Sequence, residues 1–205
     1  MAVTNIRKKI VVQGDDDREH LGLVHVITGD GKGKTTSSLG LALRAVGANL
    51  QVCIIQFLKS GITGELFAIE KYLPSIHIIQ YGVDAIRERQ QKLDQFAEKT
   101  SKFIFNPDEE EKDAARQGFE YAKKAISSGE YDMVILDEFN VVLKKGLIPV
   151  SEALELMKGH GHVEMVFTGR DAQQPVIDAA DYCSNVYPVK HPWQKGIKAM
   201  KGVEY

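Results

Sequence analysis

The sequence predicts an α/β fold: a single doubly wound, mostly parallel sheet with helices on both faces. Short apolar runs rich in Val and Ile alternate with segments of helical periodicity. Near-continuous apolar strands are typical of a parallel sheet that is covered on both faces. A glycine- and lysine-rich stretch also separates the first apolar run from the first helical segment. The 205 residues are enough for one such domain with a sizeable core.

The strands are predicted from the apolar runs. They cover residues 23–28, 51–57, 76–81, 131–136, 163–168 and 183–189. Ligands of doubly wound sheets bind beyond the carboxyl ends of the strands. The residues that directly follow each run are therefore the first candidates for a binding site.

Helices are predicted between these strands. The segment 35–46 is amphipathic, and Gly47 is its expected C-terminal cap. A charged helix is expected over 84–102, and another begins with Asn106 as N-cap and Pro107 in the first helical position. That helix ends at Gly129, and its predicted buried face comprises Ala115, Phe119, Ala122 and Ile126. Further helices are expected near 151–158 and 173–180.

The chain divides into a polar arm, residues 1–20, and a nucleotide-binding domain, residues 21–205. The arm is predicted to be flexible; the alternative is an arm that folds over a ligand or a neighbouring subunit. The 26 basic and 28 acidic residues of the whole chain nearly balance, which disfavours nucleic acid as a partner. Apolar runs are too short for a membrane span. Cys53 and Cys183 are expected to be two buried free thiols, which fits a cytoplasmic location.

The glycine-rich stretch, Thr28-Gly29-Asp30-Gly31-Lys32-Gly33-Lys34-Thr35-Thr36, predicts a phosphate-binding loop between a strand and a helix. Its glycines let backbone N–H groups face an anion, Lys34 adds a charge, and the Thr35 hydroxyl is suited to Mg²⁺. The usual pattern needs glycine at position 28, so the spacing here is one residue shorter, and Lys32 adds a second cation. A tight turn without a ligand is the alternative, but two nearby lysines repel each other without an anion. A P-loop domain of the RecA-like type is therefore expected.

Two acidic residues, Asp137 and Glu138, directly follow the run 131–136. Apolar residues followed by an acid form the second signature of nucleoside triphosphate sites, where the acid holds Mg²⁺ directly or through water. Glu138 is a candidate metal ligand or general base. The alternative is a surface carboxylate pair.

Three more basic residues are candidate nucleotide contacts, each with a solvated surface residue as its alternative. Arg170 follows the run 163–168, Lys59 follows the run 51–57, and Arg44 lies on the first helix. A planar guanidinium just past a strand end suits phosphate. The full predicted nucleotide-binding set is Gly29, Asp30, Gly31, Lys32, Gly33, Lys34, Thr35, Thr36, Arg44, Lys59 and Arg170. The predicted metal ligands are Thr35, Asp137 and Glu138, and the predicted catalytic residues are Lys32, Lys34 and Glu138.

Together these motifs resemble the P-loop ATP:corrinoid adenosyltransferases, the cob(I)alamin adenosyltransferase family. The matching stretches are Gly29 to Thr36, Arg44 to Gly47, Gln56-Phe-Leu-Lys59, Asp132 to Glu138, Thr168-Gly-Arg170 and Pro188-Val-Lys-His191. The resemblance implies that a Co(I) corrinoid attacks the 5′ carbon of ATP and triphosphate leaves, in adenosylcobalamin synthesis or salvage. It also implies Mg²⁺ or Mn²⁺, ATP held in reversed orientation, a flavoprotein reductant and a homodimer.

The sequence departs from that family's pattern in two places. Some members carry aromatic residues shortly after the glycine that matches Gly82, where this chain has Val83 and Ala85. The residues left as substitutes are Tyr81, Phe96, Phe103, Phe105 and Trp193. Phe139-Asn140 also replaces the more usual Leu-Thr after the acidic pair.

Two other functions remain open from the sequence. One is a RecA-like nucleoside kinase, although such kinases usually add a zinc module with paired cysteines that this chain lacks. The other is a non-catalytic, ATP-gated corrinoid-binding protein.

Overall fold

The computed structural model of the chain describes residues 21–61, 63–84, 107–197 and 199–203. The predicted arm 1–20, the predicted helix 84–102 (apart from residue 84) and Asn106 lie outside these ranges. In chain order the elements are β1 (Val24–Thr28), α1 (Lys34–Gly47), β2 (Val52–Phe57), α2 (Gly64–Tyr72), β3 (Ile76–Tyr81), α3 (Pro107–Ser127), β4 (Met133–Asp137), α4 (Phe139–Lys144), α5 (Val150–Lys158), β5 (Glu164–Thr168), α6 (Gln174–Asp178), β6 (Tyr182–Asn185) and a 3₁₀ turn (Pro192–Lys195).

The strands of the described ranges form one six-stranded sheet in the order β3-β2-β4-β5-β1-β6. Every neighbouring pair is parallel. The strand β5 lies between β1, which leads into the phosphate loop, and β4, which ends at Asp137. Because all strands run the same way, the loops that follow β1, β2, β4 and β5 meet at one edge of the sheet.

The sheet is buried on both faces, which confirms the predicted α/β class. Neighbouring strand residues point to opposite faces, so Ile55 and Leu136 pack in a cluster with Phe119 of α3. Ile54 and Ile135 pack on the other face with residues of α1 and α2. Both faces are therefore covered by helices. No helix in the described ranges has the length and apolar character that crossing a membrane requires.

Helix α3 closely matches its predicted form. It begins at Pro107 and buries the four side chains that the periodicity placed on one face, namely Ala115, Phe119, Ala122 and Ile126. After its end Gly129 adopts a left-handed conformation with φ 72°. Glycine has no Cβ to strain this conformation, so it is suited to this position.

The predicted cap of α1 is wrong. Gly47 is the last helical residue, and the left-handed residue is Asn49 with φ 63°. Asparagine tolerates this region better than most residues, which lets the helix run to Gly47 before the chain turns.

Strand β6 differs from its prediction in both extent and burial. It ends at Asn185 instead of continuing to residue 189, and all four of its residues are exposed because it forms the sheet edge. Cys183 is therefore exposed, contrary to the prediction of two buried thiols. Cys53, in the interior strand β2, is buried, and burial raises the pKa of its thiol to about 12. Two short helices, α2 and α4, were not predicted.

The amino end of β1 is tied to the start of β5 through Glu164. Its Oε2 accepts hydrogen bonds from the N–H groups of Gly22 (3.0 Å) and Leu23 (2.9 Å), and its Oε1 lies 2.5 Å from His25 Nε2. Burial alone would raise the pKa of Glu164, but these hydrogen bonds together hold that pKa below its usual value. The carboxylate form is therefore the one the fold stabilises.

This contact predicts a pH-dependent contribution to stability. A carboxyl group whose pKa is lowered on folding stabilises the fold above its unfolded pKa of about 4.3, and that contribution disappears as pH falls through the folded pKa. We expect Glu164→Gln to lower the free energy of unfolding by about 2 kcal/mol at neutral pH, the size typical of hydrogen bonds to a charged group. Urea unfolding near pH 7 and near pH 3 checks this. An equal loss at both pH values would contradict it.

Candidate functional site

The phosphate loop connects β1 to α1 and is braced by the chain that follows β6. Gly31 N donates to Val186 O (2.7 Å), and Val186 N donates to Thr28 O (2.8 Å). Gly29 has φ 99°, and a Cβ there would lie 2.1 Å from Asn185 Oδ1. A larger residue at this position is therefore excluded both by the backbone conformation and by the close approach of β6.

Lys34 lies across the loop and is buried. Its Nζ donates to Gly29 O (2.7 Å) and to Gly31 O (2.8 Å). Burial lowers the pKa of Lys34 from its usual value, while the nearby Glu138 carboxylate opposes that shift. The ammonium is thus held on loop carbonyls, at the place where an anion bound by the loop would become its stronger partner.

Lys32 has a different hydrogen-bond partner from Lys34. It is exposed, and its Nζ donates to Val203 O (3.2 Å) near the end of the chain. Each lysine ammonium is therefore held by its own backbone carbonyls. Both still border one cleft of about 240 Å³, which is lined by Asp30, Gly31, Lys32, Gly33, Lys34, Thr35, Thr36, Arg170 and His191.

Asp137, at the end of β4, is fully buried beside this cleft, and four donors fix its carboxylate. Its Oδ1 accepts from the hydroxyls of Thr35 (2.9 Å) and Thr168 (2.6 Å). Its Oδ2 accepts from Gln56 Nε2 (3.1 Å) and Lys59 Nζ (2.6 Å). The donors belong to α1, β5, β2 and the loop after β2. They meet here because the carboxyl ends of parallel strands lie at one edge of the sheet.

The ammonium of Lys59 lies between two oxygen acceptors. Besides Asp137 it contacts Thr35 Oγ1 at 3.2 Å. Gly82 packs closely against the backbone of Lys59: a Cβ at Gly82 would lie 2.4 Å from Lys59 O. Lys59 also borders a second cleft of about 290 Å³, whose lining includes Thr35, Glu65 and Val203.

Glu138 adopts a left-handed backbone conformation with φ 63°, which is unusual for a non-glycine residue. Its N–H donates to Thr168 Oγ1 (3.0 Å). Burial, and then the Asp137 carboxylate, raise the pKa of Glu138. Lys59, Lys34 and Arg170 act in the opposite direction, which places this carboxyl group among the cations of the cleft. Strained residues of this kind cluster at functional sites.

Thr35 and Asp137 are the residues of this site that could hold a divalent cation. Among the described residues no group of three or more His, Cys, Asp or Glu side chains is arranged to hold a metal ion. The Thr35 hydroxyl and the Asp137 carboxylate both contact the Lys59 ammonium. Hydroxyl and carboxylate oxygens are ligands that Mg²⁺ takes in proteins, usually together with phosphate oxygens and water. The Lys59 ammonium marks where these oxygens converge.

The structure gathers most of the predicted site residues but not Arg44. Arg44 is exposed in the last turn of α1 and belongs to the lining of neither cleft. It lies ten residues after Lys34, or about 15 Å along a helix. A contact between Arg44 and the nucleotide stays a prediction.

Sequence reasoning missed Gln56, Thr168 and His191 as site residues. Each belongs to a stretch that carried the family resemblance, and Gln56 and Thr168 also lie at the carboxyl ends of β2 and β5, so the signal was present. Of the aromatic candidates near Gly82, Tyr81 is buried in the core, 6% exposed, against Tyr121. Phe96, Phe103 and Phe105, like Ala85 and the side chain of Trp193, lie outside the described residues.

Comparison with known proteins gives a consistent set of relatives. The family described as "ATP:corrinoid adenosyltransferase BtuR/CobO/CobP" matches residues 20–205. A protein of Escherichia coli strain K12 named corrinoid adenosyltransferase is 31% identical over 199 residues, which are 95% of this chain and 90% of that protein. One of the same name from a Sinorhizobium species is 31% identical, covering 97% of this chain and 86% of its own length. Corrinoid adenosyltransferase CobA of Salmonella typhimurium is 30% identical over 95% of this chain and 90% of its own length.

Proposed function

Because the chain belongs to the ATP:corrinoid adenosyltransferase family BtuR/CobO/CobP, we propose that it transfers the 5′-deoxyadenosyl group of ATP to the cobalt of a Co(I) corrinoid. Triphosphate is the other product. The observation that supports this most directly is the braced loop whose Lys34 and Lys32 border the cleft next to Asp137. This loop supplies positive charge along a bound triphosphate. The 5′ carbon of ATP is then free to react with the second substrate, the corrinoid.

The chemistry needs a stabilised leaving group more than a base. Co(I) donates an electron pair to the 5′ carbon, the carbon–oxygen bond breaks, and its electrons pass to the triphosphate. No water molecule has to be deprotonated, since the reduced corrinoid is itself the nucleophile. The loop N–H groups, Lys34, Lys32 and Arg170 then neutralise the charge that develops on the leaving oxygens.

Thr35 and Asp137 are the residues that would hold Mg²⁺, with Glu138 as a further carboxylate near them. The bound ion supplies additional positive charge to phosphate oxygens. Thr168 and Gln56 orient the Asp137 carboxylate through their hydrogen bonds. The proposed role of Glu138 is therefore as a metal ligand, directly or through water, and not as a general base.

The proposed activity is tested by mixing the full chain with ATP, Mg²⁺ and chemically reduced cobalamin. We expect Co(I) absorbance to be lost and a light-sensitive adenosylated corrinoid to form together with triphosphate. ADP as the product would indicate a nucleoside kinase instead. Binding of both substrates without loss of Co(I) absorbance would indicate a non-catalytic corrinoid-binding protein.

The shortened loop and its second lysine suggest a specific role for Lys32. An interaction made more strongly with the departing triphosphate than with bound ATP raises turnover more than affinity. We expect Lys32→Ala to reduce kcat about tenfold or more while ATP affinity changes by less than about threefold. Steady-state kinetics and ATP calorimetry measure the two effects. Lys112→Ala, on the exposed side of α3, is the control, and equal losses in turnover and affinity would contradict the assignment.

The reaction also needs an electron source, and the chain is proposed to act as an oligomer. The family resemblance implies a flavoprotein that delivers electrons to the corrinoid and a homodimer. A cytoplasmic location stays the proposal that the two free thiols motivated. Sedimentation velocity of the purified chain tests the dimer. Replacing the chemical reductant by a reduced flavoprotein tests the electron source.

A further inference from the structure

Lys59 occupies the position where the proposed metal donors converge. Its Nζ lies 2.6 Å from Asp137 Oδ2 and 3.2 Å from Thr35 Oγ1. These are the two side chains proposed above to hold Mg²⁺. An ammonium and a divalent cation both seek such oxygens, and one position cannot accommodate both.

We propose that Lys59 is a built-in cation that fills the metal position in the nucleotide-free protein and is displaced when a divalent ion binds. The inference rests on the proposed function, since it assumes that the metal ion of that reaction is held by Thr35 and Asp137. It gives Lys59 a role distinct from a simple phosphate contact.

Burial of the carboxylate explains why a resident cation is needed. Asp137 has no exposed surface, and an isolated buried carboxylate is strongly unfavourable. Three of its four donors are neutral groups, namely the hydroxyls of Thr35 and Thr168 and the amide of Gln56. Lys59 supplies the compensating charge.

The local geometry lets the side chain leave while the backbone stays. Gly82 packs against the Lys59 carbonyl, and the preceding residue, Leu58, is held in a left-handed conformation with φ 56°. The Lys59 side chain is 27% exposed and borders the open cleft that Glu65 also lines. A withdrawn ammonium therefore stays beside the nucleotide cleft, near acidic oxygens.

The test is Mn²⁺ binding to the nucleotide-free full chain, followed by electron paramagnetic resonance. We expect Lys59→Met to tighten Mn²⁺ binding about tenfold or more, because a competing charge a few ångströms away is removed. Lys59→Arg keeps the charge, and Lys71→Met removes an exposed charge on α2; both are expected to bind Mn²⁺ as the wild type does. Unchanged or weaker Mn²⁺ binding by Lys59→Met would overturn the inference.

Two further variants keep the result interpretable. If circular dichroism shows that Lys59→Met does not fold, Lys59→Gln replaces it, since its amide still donates to Asp137 without carrying charge. Thr35→Ala in the presence of ATP tests the metal site itself. Unchanged Mn²⁺ affinity in Thr35→Ala would overturn both the site and this inference. A loss there, without tightening in the Lys59 variants, would overturn this inference alone.

Discussion

Replacing Lys34 with methionine is expected to lower kcat/KM for ATP by about a hundredfold or more, the size seen when one charge-stabilising donor is removed from an active site. Lys34 is 8% exposed and already held across the loop by Gly29 O and Gly31 O. A bound polyphosphate would offer this cation a charged partner in place of two neutral ones. Methionine retains most of the apolar stem but provides neither the charge nor the donors.

Steady-state formation of adenosylated corrinoid, with varied ATP, measures the effect. Lys124→Met, on the exposed side of α3, is the matched control and is expected to retain full activity. Circular dichroism shows whether the loop variant keeps its fold. A Lys34→Met protein that is folded and keeps more than about a third of wild-type kcat/KM would contradict the proposed role, because removal of a charge-stabilising donor has a far larger effect.

The parts of the site that could be predicted from the sequence are those that follow strand ends. Lys34 and Thr35 were predicted from the glycine-rich loop after β1, and Asp137 from an acid at the end of β4, which lies at the same edge of a parallel sheet. The fold class could also be predicted, because continuous apolar runs are typical of the strands of a parallel sheet. Position along the chain was sufficient to predict these residues, because the backbone of a strand end places the residues that follow it at the edge of the sheet.

Contacts between distant segments could not be predicted in this way. The hydrogen bond from Lys32 to Val203 joins residues that are 171 positions apart, and nothing local encodes it. The exposure of Cys183 depends on β6 being the sheet edge, which is a property of strand order and not of the apolar run itself. The direct contact between Lys59 and Asp137 likewise depends on β2 and β4 being neighbours.

Phe139 connects the core to the site, and its truncation is expected to have the largest effect on stability. Its ring has no exposed surface and lies with its centroid 5.0 Å from that of Phe57, 5.2 Å from Phe167 and 5.7 Å from Phe119. These partners belong to β2, β5 and α3. Since Phe139 directly follows Glu138, the same packing anchors the strained backbone of that residue.

We expect Phe139→Ala to lower the free energy of unfolding by about 3–5 kcal/mol, the usual range for removing a buried aromatic ring. That is a large fraction of the roughly 5–15 kcal/mol that stabilises a typical domain. Urea denaturation followed by circular dichroism measures it. Phe139→Leu keeps an apolar side chain and is expected to lose about 1–2 kcal/mol. Phe67→Ala, at a ring that is 58% exposed, should change stability by less than about 0.5 kcal/mol. Similar losses in Phe139→Ala and Phe67→Ala would mean that the aromatic cluster does not hold the sheet and α3 together.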